Sequence, residues 1–201
     1  MTVERIWLLC LIICLGCSCR TNDKEISLAI PEIGKATDPK EPPPPPLSPY
    51  AYYGCFNFIF DSTGAIYFYQ HFYDRDKKPI RVIDFDSNAP IFINLNPDKI
   101  ISIPADGVKS FVEQNVLKAD AAFRSVTVIG LTDTIKSKSL IPLMNILTDT
   151  LNDIAYLVRK TTFEENVVLD YKRKQKFYYP DKVNWDSTKV LFDRKRKNSG
   201  T

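Results

Sequence analysis

The chain has 201 residues, 44% hydrophobic and 25% charged, the balance of an ordinary globular protein. Its single histidine excludes a histidine-rich zinc centre by count. With only seven glycines it carries no Walker-type or dinucleotide fingerprint, and its net charge of +3 is unevenly spread. Residues 170–201 hold ten of the 27 basic and four of the 24 acidic residues, so everything before them is net −3.

In chain order, Arg5 is followed by ten apolar residues, Ile6 to Leu15, and then by Gly16 and Cys17. A membrane-spanning helix needs about 20 apolar residues, and this run is half that. A charged start, a short apolar stretch and a small residue at the boundary form the pattern of a cleaved export signal. Leu15-Gly16-Cys17 resembles the lipobox of bacterial lipoproteins, with Cys14 where that family usually has Leu. The resemblance implies a signal peptide over 1–16, cleavage after Gly16 and acylation of Cys17. It also implies a cell-envelope location. Ser18 rather than Asp after the acceptor points to the outer membrane over the inner. The alternative is a secretory peptide cut elsewhere, including a cut before Cys19.

Of the five cysteines, Cys10 and Cys14 leave with the signal, and the C-x-x-C they suggest with Cys17 lies inside the lipobox. Cys19 and Cys55 remain as a candidate pair in an oxidising compartment. Cys55, set among aromatics, reads instead as a small buried hydrophobe. Residues 17–49 are polar and include the five prolines Pro42–Pro46, a polyproline II segment rising about 3.1 Å per residue. Such a stretch reads as a tether that holds a domain off the bilayer. A ligand for a proline-binding domain is the alternative.

The globular domain is expected over 50–192. Tyr53–Phe60 and Ala65–Tyr73 read as a hairpin around Asp61-Ser62-Thr63-Gly64. Phe56, Phe58 and Phe60 share one face of its first strand; Ile66, Phe68 and Phe72 share one face of its second, opposite Tyr67, Tyr69, His71 and Tyr73. A charged loop, Asp74–Pro79, leads to expected strands at Ile80–Phe85, Ile91–Leu95 and Ile100–Ile103, completing an antiparallel meander. The period then changes. Asp106 is placed to cap a helix bearing Val108, Phe111, Val112 and Val116, and Ser139 one bearing Leu140, Leu143, Met144 and Leu147. Thr162-Phe163-Glu164-Glu165 matches a capping box for a third, with Val167, Val168 and Tyr171 facing inward. Strands are expected at Ser125–Leu131, Ile154–Arg159 and, as a short last one, Lys189–Phe192. The fold class is α+β: an antiparallel meander followed by alternating helices and strands on a mixed sheet.

Chemistry is scarce. Nucleophilic catalysis would have to run through His71 with Ser62 or Cys55, and no Gly-x-Ser-x-Gly elbow is present. His71 reads as a partly exposed strand residue. Asp84-Phe85-Asp86-Ser87-Asn88 opens like a calcium loop, but Ala89 and Leu95 stand where such a loop needs Gly and Glu. Glu164 and Glu165 are accounted for by the capping box. No catalytic residue, metal or cofactor is expected. The basic tail 193–201 reads as a solvated, frayed terminus, with contact to an envelope protein or an anionic surface as the alternative, and no nucleic acid is expected. The expected function is a lipid-anchored, non-catalytic envelope module that binds or assembles with a partner. The alternative is an anchored periplasmic hydrolase whose residues converge from distant positions.

Overall fold

Residues Phe56 to Phe60 are all buried, which an apolar strand achieves only when both faces of its sheet are covered. The computed structural model describes residues 26–33, 40, 47, 49–72, 89–149 and 154–192. Outside them lie the signal peptide expected over 1–16, Cys17, Cys19, the five prolines, the loop expected at 74–79, the strand expected at Ile80–Phe85, the Asp84–Asn88 cluster and residues 193–201. In chain order the elements are β1 (Ile26–Ala29), α1 (Pro49–Tyr53), β2 (Phe56–Phe60), β3 (Ile66–Gln70), β4 (Ile101–Ile103) and α2 (Val108–Asn115). They continue with β5 (Ser125–Gly130), β6 (Thr134–Ser137), α3 (Leu140–Asp149), β7 (Ala155–Lys160) and α4 (Phe163–Lys174).

The α+β class holds. A five-stranded mixed sheet runs in the order β4-β3-β2-β5-β7. The pairs β2–β3 and β3–β4 are antiparallel, whereas β5 joins β2 and β7 joins β5 in parallel. Phe56, Phe58, Phe60, Phe68, Val126 and Val128 pack on one face beneath Val108, Val112 and Val116 of the α2 segment and Leu140, Leu143 and Leu147 of α3. Ile59, Tyr69 and Ile129 pack on the other with Val168 and Leu169 of α4. The hairpin turn forms as its residues demand. The Asp61 carboxylate accepts from the Thr63 and Ala65 amides at 2.8 and 3.0 Å, and Gly64 supplies a φ of +80°.

Several expectations are corrected. The tether reading of 17–49 and the domain start at residue 50 do not hold for residues 26–30. The β1 strand pairs antiparallel with β6, a strand the sequence reading omitted, to form a second, two-stranded sheet. Ile30 then packs in the main core, where Gly130 makes room: a Cβ there would stand 2.5 Å from Ile30 Cδ1. Tyr53 belongs to α1 rather than to β2, because Gly54 at φ +63° turns the chain between them. Ile91–Leu95 is not a strand. Asn94 has φ +55°, and among the described residues the only ladder contact of the segment is a single bridge between Ile91 and Leu191. That bridge is also all that forms of the strand expected at Lys189–Phe192.

Asp106 sits inside a 3₁₀ turn, Ala105–Gly107, so α2 begins at Val108 without a side-chain cap. Ser139 lies immediately before α3, and its hydroxyl donates to the Ala105 carbonyl at 3.1 Å. Leu169 rather than Val167 joins Val168 in the core beneath α4.

Candidate functional site

Thr162 begins α4 with the full capping box. Its hydroxyl accepts from the Glu165 amide at 3.1 Å, and its own amide donates to the Glu165 carboxylate at 2.7 Å. The box accounts for only part of what Glu165 does. The same carboxylate receives two parallel bonds from Arg159, Nη1 to Oε2 and Nη2 to Oε1, each 2.7 Å, and a further bond from the Tyr69 hydroxyl. Arg159 is 1% exposed and Glu165 not at all. This is a fork-to-fork ion pair taken wholly out of water.

Two further donors of Arg159 are anchored to backbone. Nε donates to the Tyr52 carbonyl at 3.0 Å and Nη1 to the Lys160 carbonyl at 2.9 Å. The guanidinium carbon lies 4.6 Å from the Tyr52 ring centre and 5.3 Å from that of Tyr53. The Tyr53 hydroxyl donates to the Ile91 carbonyl. Next along α4, Glu164 accepts from the amides of Ile93 and Leu95 at 2.8 and 2.6 Å. The cluster thereby joins α1, β3, β7, α4 and the 91–95 segment.

Burial alone would raise the Glu165 carboxyl, but the charge of Arg159 and the bonds from Arg159, Tyr69 and Thr162 hold it below the usual carboxylate range. Burial would likewise lower Arg159, and Glu165 instead keeps it above its ordinary value. Tyr69 is pushed well up by burial and by the Glu165 charge, so it stays a neutral donor. Glu164 has no such cation. Burial pushes its carboxyl up to about 7 against the opposing Ile93 and Leu95 amides.

Four protein donors converge on the two Glu165 oxygens. That coordination is complete without a ligand, and the cluster works chemically as an internal clasp. The sequence reading accounted for Glu164 and Glu165 by capping and passed over Arg159. An arginine ending an apolar strand, six residues before a capping-box glutamate, is the signal that marks it.

Of the residues weighed for catalysis, Ser62 and His71 are held apart. Ser62 is in the hairpin turn, at the far end of the β2–β3 ladder from His71, whose amide bonds the Cys55 carbonyl at 3.0 Å. Cys55 is a free thiol buried in the first-face core, whereas the His71 ring centre lies 5.9 Å from that of Tyr53. Burial, and then Lys99, lower the His71 pKa.

A second concentration of charge and aromatics lies where α4 ends. Lys172, Arg173 and Lys174 fill its last turn, Gln175 closes it at φ +52°, and Lys176 and Phe177 follow. Phe177 is 88% exposed and Tyr179 50% exposed, with Lys182 Nζ 4.4 Å from the Tyr179 ring centre. Tyr178 turns inward, against Tyr171 and the core beneath α4.

Comparison of the chain with protein-family models, curated proteins and solved structures found no match in any of the three. Among the described residues no helix is long and apolar enough to cross a membrane, and no three His, Cys, Asp or Glu side chains gather as for a metal ion.

Proposed function

We propose that the chain is a lipid-anchored, non-catalytic module of the bacterial cell envelope, attached through Cys17 and serving a binding or assembly role. The observation that carries this reading is Leu15-Gly16-Cys17 at the end of the apolar run Ile6–Leu15. Two or three acyl chains at Cys17 hold a protein firmly, where one alone holds only marginally. Ser18 favours outer-membrane over inner-membrane residence. The closed coordination of Glu165 supports an architectural rather than a catalytic use of the most perturbed groups in the domain. Metabolic labelling with a palmitate analogue tests the anchor. The protein should take up label, and Cys17→Ser should abolish uptake and leave an uncleaved precursor. Labelling that survives Cys17→Ser contradicts the assignment.

A further inference from the structure

The docking of β1 changes how far the domain can stand from its anchor. Eight residues, 18–25, separate Cys17 from Ile26, and they reach at most about 30 Å when fully extended. The prolines at 42–46 come after β1 and contribute nothing to that reach. Resting on the lipid anchor proposed above, the fold is therefore tethered closely at Ile26.

Contacts then connect Ile26 to the end of α4. Ile26 is the register partner of Ser137. The Ser137 hydroxyl donates to the Gly64 carbonyl at 3.2 Å, and the Gly64 amide donates to the Asp61 carbonyl at 3.0 Å within the hairpin turn. The Asp61 carboxylate lies 3.8 Å from the Arg173 guanidinium. The point of tethering and the last turn of α4 thus both adjoin one end of the β2–β3 hairpin, its Asp61–Gly64 turn.

We infer that this end lies on the anionic headgroup layer of the membrane that holds the anchor, with Phe177 and Tyr179 at the interface and Lys174, Lys176 and Lys182 facing lipid phosphates. From 171 to 182 there are five cations and a single acidic residue, Asp181. The helix dipole accounts for Lys172, Arg173 and Lys174 in the last turn, but not for Lys176, Lys182 or an exposed Phe177 beyond it. Exposed aromatics among lysines and arginines are the composition of an interfacial contact, and each cation near an anionic surface adds to the attraction.

The test uses the full, processed chain carrying Phe177→Trp, a change at an exposed site that leaves the fold intact. The protein is reconstituted into vesicles of phosphatidylcholine alone or mixed with phosphatidylglycerol, each with brominated acyl chains. Palmitate labelling and flotation report the anchor in the same samples. The emission added by Phe177→Trp should shift to the blue and be quenched on the phosphatidylglycerol vesicles. Combining it with Lys174→Gln, Lys176→Gln and Lys182→Gln should lower the docked fraction by about tenfold or more. A labelled, floating chain whose position 177 stays in water overturns the inference and leaves the anchor standing. Equal quenching on both vesicles overturns the anionic assignment. A chain that takes up no label and floats with neither vesicle overturns the anchor, and this orientation with it.

Discussion

The two ends of α4 carry similar chemistry under opposite conditions. At its N-terminus, Glu164 and Glu165 are buried, and Arg159, Tyr69 and Tyr53 close around them. At its C-terminus, Arg173, Lys174 and Tyr179 are 40% exposed or more, and Phe177 stands almost free of the domain. Charge beside aromatic rings is an internal clasp at one end and an open surface at the other. Burial decides which. A desolvated ion pair becomes costly once a partner is lost, whereas an exposed one contributes little to stability and stays available to outside partners.

The sharpest way to break this contrast is to remove one partner of the buried pair. Arg159→Ala leaves the Glu165 charge without its cation and should cost about 3–5 kcal/mol in urea unfolding at neutral pH. Replacing both, as Arg159→Met with Glu165→Leu, should recover much of that loss. A cost below about 1 kcal/mol for Arg159→Ala would place the cluster on the same footing as the surface.

Acidity separates the adjacent glutamates next. Glu164 holds its proton more tightly in the folded chain, so its contribution is full below about 4.5. It is lost as pH rises to about 7, a change on the order of 3 kcal/mol. Glu165 is depressed, so its contribution is full above the ordinary carboxylate range and is lost as pH falls through it. His71, lowered in the fold, adds a loss as pH falls below 6.5 and partly offsets Glu164 in the same window. The difference in unfolding free energy between the parent and Glu164→Gln isolates the Glu164 limb. That difference should shrink by about 3 kcal/mol between pH 4.5 and 7.5, and a flat difference would deny the shift.

Smaller effects sharpen the contrast. Thr162→Ala removes the hydroxyl half of the capping box while leaving the Thr162 amide bond to Glu165, and should lower stability by about 1 kcal/mol. At the far end, Lys174→Ala breaks only a pair with Asp170 in which both side chains are more than half exposed. Its effect and that of Lys176→Ala should stay within about 0.5 kcal/mol by thermal unfolding.

Much of the fold was legible in residue order. The Phe56–Phe60 alternation, the Asp61–Gly64 turn and the Thr162 box act through neighbours in sequence, and each formed as expected. The misses were long-range. The short Ile26–Ala29 strand becomes ordered because Thr134–Ser137 offers it an edge and Gly130 offers Ile30 a hollow, neither of which local composition shows. Ile91–Leu95 has the composition of a strand, but Glu164, some 70 residues away, takes the Ile93 and Leu95 amides. Arg159 was missed for the same reason: its partners Tyr52 and Tyr53 are set by topology, not by spacing.

Amide hydrogen exchange over Ser27–Ile30 tests most directly where the folded unit begins, on which the proposed close tether and membrane-facing end both depend. The β1 pairing and the Ile30 amide bond to the Asp133 carbonyl at 2.9 Å predict protection in this segment comparable to that of its partner strand, Thr134–Ser137. Exchange at the rate of an unstructured chain would detach β1, return the boundary to Tyr50 and contradict the placement of the domain against its anchor.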